Sequence, residues 1–372
     1  MNTRVKRQTV HKVSMVIICA RNPFSIRTVT MKTEVPTIQD VARVAGVSTA
    51  TVSRALSYPE RVSEKARRQV LEAVERTGYV VNEAARNLRQ QRANAIGVIA
   101  PDLSNPFFSS IIAGIEQIAG PNGFGMLVTE SSMTGQGAFD HASLLAAARV
   151  DGFVVLDGQI DLGRLRNRVT SLSQVPVVSA CEYPEDLPAP SVTVDNTGGA
   201  EKAVRHLADL GHTKIGHITG PRGNILTTTR LQGFRAGLNS IGLPVREDFI
   251  LPGDFNLEAG KLAAEIWRTM DDRPTAMFCA SDQQAFGFIS QLSRQGFRVP
   301  EDVSVIGFDD IEVSGFFVPA LTTISQPRLE LGRMSARMLL DRINGESHRE
   351  GLHPQLDVTL VVRDSTAAPR PE

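Results

Sequence analysis

Apolar residues between Thr37 and Leu56 recur at helical spacing and predict two short helices around a tight turn. In the first helix they fall at i, i+3, i+4 and i+7, which leaves the opposite face polar. These residues are Ile38, Val41, Ala42 and Ala45. The second helix carries a matching apolar stripe of Val52, Ala55 and Leu56. Both helices therefore have an inward and an outward face.

Residues at the ends of these two helices suit caps and a turn. Thr37 with Asp40 resembles a capping box, and Ser48 is a favourable N-cap for the second helix. Gly46 can adopt the backbone angles that a sharp turn requires.

A third helix is predicted from Ser63, which can cap it, to Gly78, which ends it. Its inward residues are expected to be Val70, Leu71 and Val74. Three helices make a minimal core and leave a polar surface on the second one, formed by Thr49, Ala50, Ser53 and Arg54. A glycine at the turn, small residues where the two helices come close together and an outward arginine favour a helix-turn-helix that binds DNA. The alternative is an ordinary helical subdomain.

From Ala95 onward, short apolar runs alternate with amphipathic stretches, which predicts α/β layers with doubly wound parallel sheets. The predicted strands are AIGVIAPD, GMLVTESS, GFVVLDG, VPVVSACE, KIGHITG, AMFCASD and VSVIGFDD. Helices are predicted near Phe107–Gly120, Gly137–Val150, Gly198–Leu210, Arg230–Ile241, Leu257–Met270, Gln283–Gln295 and Leu329–Asn344. We expect the sheet to split into two similar lobes, the first at roughly Ala95 to Ser191 and the second at roughly Val194 to Leu321.

Ligands of open α/β sheets lie outside the carboxyl ends of the strands, so the loops there supply the candidate binding residues. After the first strand these are Asp102, Ser104, Asn105, Pro106, Phe107 and Phe108. After later strands they are Cys181, Arg230, Phe255, Ser281 with Asp282, and Asp309 with Asp310.

The chemistry of three candidates suits a sugar or a nucleoside. The Arg230 guanidinium offers a planar fork of donors for hydroxyls, a carboxylate or a carbonyl. Asp309 can accept hydrogen bonds from two neighbouring hydroxyls. Phe255 with Phe107 or Phe108 can stack on a ring, one of the FF pair being expected in the core. The alternatives are a solvent-exposed arginine, a capping aspartate and core phenylalanines.

The charge distribution separates the two ends of the chain. Residues 1–92 hold 17 Lys and Arg against 7 Asp and Glu, while the rest holds 23 against 33, so a net +10 opposes a net −10. A basic segment suits a polyanion, and an acidic body would be repelled by DNA. From Pro36 to Arg92 alone, 10 Lys and Arg stand against 6 Asp and Glu, so the positive excess is smaller but keeps its sign. Residues 1–35 resemble a signal peptide only superficially, and we expect a disordered or mis-assigned extension.

Catalysis, metal binding and a cofactor find little support. Cys19, Cys181 and Cys279 lack metal-ligand spacing and suit a reducing cytoplasm. Neither a nucleophile elbow nor a phosphate loop is present in the sequence. No apolar run approaches the length of a membrane span. We therefore expect ligand binding without turnover, with no enzyme activity and no cofactor.

The segment Asn82 to Arg92, NEAARNLRQQR, lies between the two parts. Ala84, Ala85 and Leu88 share one face of a helix that is too short to be stable alone. It is predicted to order when something packs against it, the alternative being a flexible linker.

TIQDVARVAGVSTATVSRAL, together with NEAARNLRQQRANAIGVIAPDLSNPFF, resembles repressors of the LacI family from Thr37 onward. STATVSRAL, RLQGF, GDF, VPEDVSVIGFDD and LTTISQPR are most similar to its cytidine repressor branch. The resemblance implies a helix-turn-helix at about 36–81, a hinge helix at about 82–94, and a homodimer on a palindromic operator. It also implies a two-lobed ligand-binding body in which the chain crosses between the lobes, with Thr322 to Gln326 as one crossing. The first lobe then covers about 95–193 plus 326–350 and the second about 194–322 plus 356–364, with 367–372 as a tail. DNA contacts are expected at Thr37, Ser48, Thr49, Ala50, Thr51, Ser53, Arg54, Asn82, Ala85, Arg86, Leu88 and Arg89, with Leu88 as a minor-groove wedge.

The resemblance also implies effector contacts at Phe107, Arg230, Phe255, Ser281 and Asp309. Asn105 and Phe108 join them, and Asn224 and Leu226 stand in a loop that varies with the effector. Cys181 is a departure, since family members commonly hold Asp or Asn there, and Val81 replaces a usual proline. The function expected is a transcriptional repressor controlled by a sugar or nucleoside. A carbohydrate receptor without a DNA role and an enzyme are the alternatives.

Overall fold

The computed structural model describes residues 36–79, 93–131, 150–160, 175–182, 189–346 and 353–371. The chain divides into two compact units, Met1–Glu83 and Ala84–Glu372. Three predictions fall largely outside the described residues: the extension at 1–35, the hinge segment from Asn82 to Arg92, and the helix predicted near Gly137–Val150.

The first unit contains three helices, α1 (Ile38–Ala45), α2 (Thr49–Ser57) and α3 (Glu64–Thr77). They enclose a small apolar core in which Val41, Val52 and Val70 are fully buried. Gly46 and Gly78 are the C-cap residues that follow α1 and α3, and their φ angles of 66° and 65° lie in the left-handed region that glycine tolerates. The predicted caps and turn are therefore present.

One inward assignment in α3 is wrong, because Leu71 is 49% exposed. Consecutive helical residues point about 100° apart, and with Val70 directed at the core, Leu71 lies on the solvent side of this helix. Ala73 takes the buried place, and Val74 packs partly against it.

Two six-stranded sheets form the second unit. Its strands are β1 (Ala95–Ala100), β2 (Gly125–Glu130), β3 (Gly152–Val155), β4 (Val177–Ala180), β5 (Ser191–Val194), β6 (Ile215–Ile218), β7 (Ile250–Leu251), β8 (Ala276–Cys279), β9 (Ser304–Asp309), β10 (Thr322–Ser325), β11 (Gln355–Leu356) and β12 (Thr359–Val361). The first sheet has the order β11-β5-β4-β3-β1-β2 and the second β12-β10-β9-β8-β6-β7. β12 pairs antiparallel with β10, and the other neighbours are parallel. The predicted α/β class with parallel sheets is confirmed, and β12 is the one antiparallel strand among those described.

Six described helices cover these sheets: α4 (Pro106–Ala119), α5 (Asn196–Asp209), α6 (Ile225–Ser240), α7 (Leu257–Thr269), α8 (Asp282–Arg294) and α9 (Arg328–Ile343). α6 begins before the predicted start at Arg230, because the Asn224 side chain caps it by accepting a 2.8 Å hydrogen bond from Leu226 N. Thr322–Ser325, expected as a crossing, forms strand β10 of the second sheet. In the part of the chain described here, every helix lacks the length and apolar character needed to cross a membrane.

Glycines let α4 and α9 approach closely. A Cβ atom at Gly114 would overlap the carbonyl oxygen of Leu329, and one at Gly332 would overlap that of Ile111. α9 also packs against β3, β4 and β5. The helix that follows β10 of the second sheet therefore covers the first sheet.

Candidate functional site

The polar surface of the first unit lies on α2. Thr49, Ala50 and Arg54 are exposed, while Val52 and Ala55 are buried on the opposite side. Arg54 Nε donates to the Ala50 carbonyl at 3.3 Å, so the guanidinium lies along the helix surface. This arrangement can present a short polar helix face to a groove of DNA.

Hydrogen bonds within the unit hold the starts of α1 and α2. Ser48 Oγ accepts from Thr51 N at 3.1 Å and is hydrogen-bonded to Thr51 Oγ1 at 2.9 Å. Asp40 Oδ2 accepts from Thr37 N at 3.0 Å and from Thr37 Oγ1 at 2.7 Å. These Thr37 hydrogen bonds lower the pKa of the Asp40 carboxyl.

The second unit contains a cavity of about 340 Å³ at the carboxyl ends of strands from both sheets. We call it the effector cavity, and its volume lies in the range of small-molecule sites. Four of its lining residues are acidic, namely Asp102, Asp157, Glu182 and Asp254. Five carry amides, namely Asn105, Gln159, Asn224, Asn256 and Gln283. The others are Pro101, Phe108, Pro221 and Phe255.

Five of the candidate binding residues named from the sequence line this cavity: Asp102, Asn105, Phe108, Asn224 and Phe255. Phe107 does not, although it is also buried and packs edge-on against Phe108 with the ring centroids 5.0 Å apart. Two adjacent helical residues point in different directions, which is why only one ring faces the cavity.

Cys181 and Leu226 line a separate, smaller cavity of about 110 Å³. Cys181 is buried with φ 67°, a left-handed conformation that Asn and Asp adopt more readily than Cys. Burial raises the pKa of its thiol. Cys181 therefore stands as a neutral thiol next to the site.

The Arg230 guanidinium is held by groups of the second unit and lines neither cavity. Nε donates to Asn196 Oδ1 at 2.9 Å, and Nη1 donates to the Ala280 carbonyl. The guanidinium also lies over the Phe308 ring, 3.8 Å from its centroid. These contacts leave fewer donors for a ligand than the sequence suggested.

Asp309 and Ser281 are likewise bound to neighbouring protein groups. Asp309 Oδ1 accepts from Gln326 Nε2 at 2.7 Å, and burial raises the pKa of its carboxyl to about 7. Ser281 caps α8 by accepting from Gln284 N at 3.3 Å. It also donates to the Phe255 carbonyl at 3.2 Å, which links it to the loop that lines the effector cavity.

Glu182 is a site residue that the sequence reasoning missed. It is 6% exposed, and burial raises the pKa of its carboxyl. Its position two residues after β4 is the signal that could have found it, and the same holds for Asp157, two residues after β3. The sequence analysis also missed Asp254, Asn256, Gln159 and Gln283, which line the cavity as well.

Two hydrogen bonds join loops of the two sheets beside the cavity. Glu182 Oε2 accepts from Asn224 Nδ2 at 2.9 Å, and Asn105 Oδ1 accepts from Gln283 Nε2 at 3.2 Å. A ligand in the cavity would therefore lie against groups that already connect both sheets.

Comparison with known proteins identifies the architecture. Residues 37–82 match the model described as "Bacterial regulatory proteins, lacI family", and residues 204–366 match "Periplasmic binding protein-like domain". Over 332 residues the chain is 40% identical to the HTH-type transcriptional repressor CytR of Escherichia coli K12, covering 89% of this chain and 96% of that protein. The chain belongs to the LacI family.

Solved structures agree with this assignment. A crystal structure of the lac repressor dimer bound to operator and the anti-inducer ONPF matches with a TM-score of 0.79 at 31% identity, covering 90% of this chain and all of that one. The transcriptional regulator CelR in complex with cellobiose matches with a TM-score of 0.67 at 31% identity, covering 89% and 99%.

Proposed function

We propose that this protein is a cytoplasmic transcriptional repressor that binds operator DNA through α2. Its affinity for the operator changes when a small effector binds in the effector cavity. The exposed polar face of α2, with Thr49, Ala50 and Arg54 opposite a buried apolar stripe, is the observation that carries the DNA-binding role. The family membership supports the same conclusion.

On operator DNA, Thr49, Ala50 and Arg54 face base edges in the major groove, with Arg54 contacting a guanine. Thr51, Ser53, Ser48 and the backbone near Thr37 lie against phosphates, which position the helix without specifying sequence. In the hinge segment, Leu88 enters the minor groove as an apolar wedge. The other DNA contacts of this segment come from Asn82, Ala85, Arg86 and Arg89.

The DNA-bound form is a homodimer on a palindrome, because two equivalent helix-turn-helix units bind two half-sites. The lac repressor structure that this chain resembles is a dimer bound to operator. The second unit exposes large apolar side chains suited to such an interface, including Phe316 at 81% and Val318 at 88%.

The effector is a sugar or a nucleoside that is bound without chemical conversion. The rings of Phe108 and Phe255 can stack on the ligand, while the surrounding amides and carboxylates take its hydroxyls. CelR, a relative by structure, is complexed with cellobiose, and CytR is a transcriptional repressor rather than an enzyme.

Effector binding changes operator affinity by altering how the loops of the two sheets meet. The pairs Glu182–Asn224 and Asn105–Gln283 lie at this junction, so a ligand that replaces or tightens them shifts one lobe against the other. By thermodynamic reciprocity, DNA changes effector affinity by the same factor.

The full-length protein should be tested by selection from fragmented genomic DNA at low ionic strength, followed by sequencing. Enrichment of fragments that share an inverted repeat, with an affinity that falls as salt rises, is the expected result. Recovery of no preferred sequence, with or without nucleosides and sugars, contradicts the proposed function. Sugar binding without any DNA binding would instead indicate a carbohydrate receptor.

A further inference from the structure

Glu182 combines deep burial with a place on the wall of the effector cavity. Asn224 Nδ2 at 2.9 Å and Gly158 N at 3.0 Å both donate to the same oxygen, Oε2. Among the described residues, no donor reaches Oε1. A carboxylate offers acceptor sites on both oxygens, so Glu182 retains accepting capacity beside the cavity.

The orientation of Glu182 is fixed from the start of α6. Asn224 Oδ1 accepts from Leu226 N at 2.8 Å, so the amide of Asn224 must present its NH₂ group to Glu182. The carboxylate is therefore anchored on one side by a helix cap, which reduces the cost of ordering it when a ligand binds.

The charge of the cavity wall is one-sided. Asp102, Asp157 and Asp254 line it together with Glu182, and the described residues that line it include neither lysine nor arginine. Such a wall attracts hydrogen-bond donors and repels anions, because like charges brought together without water between them are unfavourable.

We propose that Glu182 is the specificity-determining residue of the effector cavity, accepting a hydrogen bond from an amino or hydroxyl group of a ring-shaped effector and, with the three aspartates, excluding phosphorylated forms. This inference rests on the proposed function and adds the chemical class of its ligand: an unphosphorylated ring compound with a donor directed at Glu182.

The decisive variant is Glu182→Gln in the full-length protein. The amide oxygen of glutamine can keep the hydrogen bonds from Asn224 and Gly158, while its NH₂ group replaces the accepting oxygen. Calorimetric titrations would use ribose, glucose and two matched nucleoside pairs, cytidine with uridine and adenosine with inosine, which exchange an amino group for a carbonyl. Each ligand that binds is then compared with its 5′- or 6-phosphate.

For each ligand that the unmodified protein binds, we expect Glu182→Gln to weaken binding by about 10- to 100-fold, as for loss of a hydrogen bond to a charged group. We expect the phosphorylated form to bind the unmodified protein at least about tenfold more weakly. The exposed Glu301 does not line the cavity, and Glu301→Gln, the same chemical change, is expected to leave every affinity unchanged.

Glu182→Asp is a second variant that separates lost binding from a folding defect. It keeps the carboxylate but places its oxygens one methylene farther from the ligand. It should also weaken binding while the melting temperature is retained. Equal affinities for the Gln variant, the Asp variant and the unmodified protein would overturn the inference and leave the effector role standing. Binding of none of the sugars or nucleosides by the unmodified protein would overturn both.

Discussion

Arg230 and Asp309 form a buried ion pair, with Arg230 Nη1 3.8 Å from Asp309 Oδ1 and the two side chains 3% and 9% exposed. Burial raises the pKa of Asp309, and the Arg230 guanidinium opposes this shift, so the carboxylate form of Asp309 depends on Arg230. The pair joins the start of α6 to the end of β9. It is therefore a structural element of the second unit beside the effector cavity.

Removing one partner of this pair should be costly. We expect Arg230→Ala to lower the free energy of unfolding by about 3–5 kcal/mol, because the Asp309 carboxyl is left buried without its cation. The double variant Arg230→Ala with Asp309→Asn should recover part of this loss. Urea unfolding followed by circular dichroism measures both values.

Arg235 provides the matched control on the same helix. Its pair with Glu247 is exposed, the side chains being 44% and 69% accessible, so Arg235→Ala should cost no more than about 1 kcal/mol. Equal destabilisation by the two alanine substitutions would show that the buried pair has no special role.

His217 should make the protein sensitive to acid. Its ring stacks on Phe278 and Phe234 at centroid distances of 4.7 and 5.0 Å, and Nδ1 lies 2.9 Å from the Phe278 carbonyl oxygen. The accepting oxygen requires a proton on Nδ1, and Nε2 is buried with no partner among the described residues. Burial lowers the pKa of His217 to about 4.

The unfolded chain takes up a proton near pH 6.5, whereas the folded chain does not until about pH 4. Folding stability from this group is therefore lost as the pH falls through that window, by about 3 kcal/mol in total. His217→Phe removes the titration, so the stability of the unmodified protein relative to this variant should fall by that amount between pH 7 and pH 4. A difference that stays constant over this range would contradict the assignment.

The fold was predictable where the chain forms long periodic elements. Helix periodicity located the helices of the first unit, and continuous apolar runs located seven strands. Of the strands that were not predicted, β7 and β11 have only two residues each and carry no pattern of their own. These two strands are set by pairing with β6 and β5, which a local pattern cannot reveal.

The candidate site was predictable at the level of loops but not of side chains. The rule that ligands lie beyond the carboxyl ends of strands led to Asn105, Phe108 and Phe255. It could not tell that Arg230 is engaged with Asn196 and Ala280, or that Glu182 rather than Cys181 lines the larger cavity. These outcomes depend on side-chain directions and on partners distant in sequence.

The close contact between α4 and α9 should not tolerate a methyl group. A Cβ atom at Gly332 would meet the backbone carbonyl of Ile111, which cannot rotate away. We expect Gly332→Ala to destabilise the protein by about 1–3 kcal/mol through overpacking. At Gly125 the nearest atom to a new Cβ is 3.7 Å away, so Gly125→Ala is the control and should leave the thermal midpoint close to that of the unmodified protein.

Arg54 should read one base pair of the operator. It is exposed on α2, where only a weak 3.3 Å hydrogen bond to Ala50 O restrains it, so its guanidinium is free to reorient toward a guanine. We expect Arg54→Ala to weaken operator binding by about 1–3 kcal/mol and to relax the preference at one position of each half-site. Fluorescence anisotropy on a set of single-base operator variants measures this. Arg43, which is exposed on α1 and paired with Asp40, is the control whose replacement by alanine should leave the base preference unchanged. A uniform loss for Arg54→Ala across all operator variants would assign Arg54 to the phosphate backbone instead.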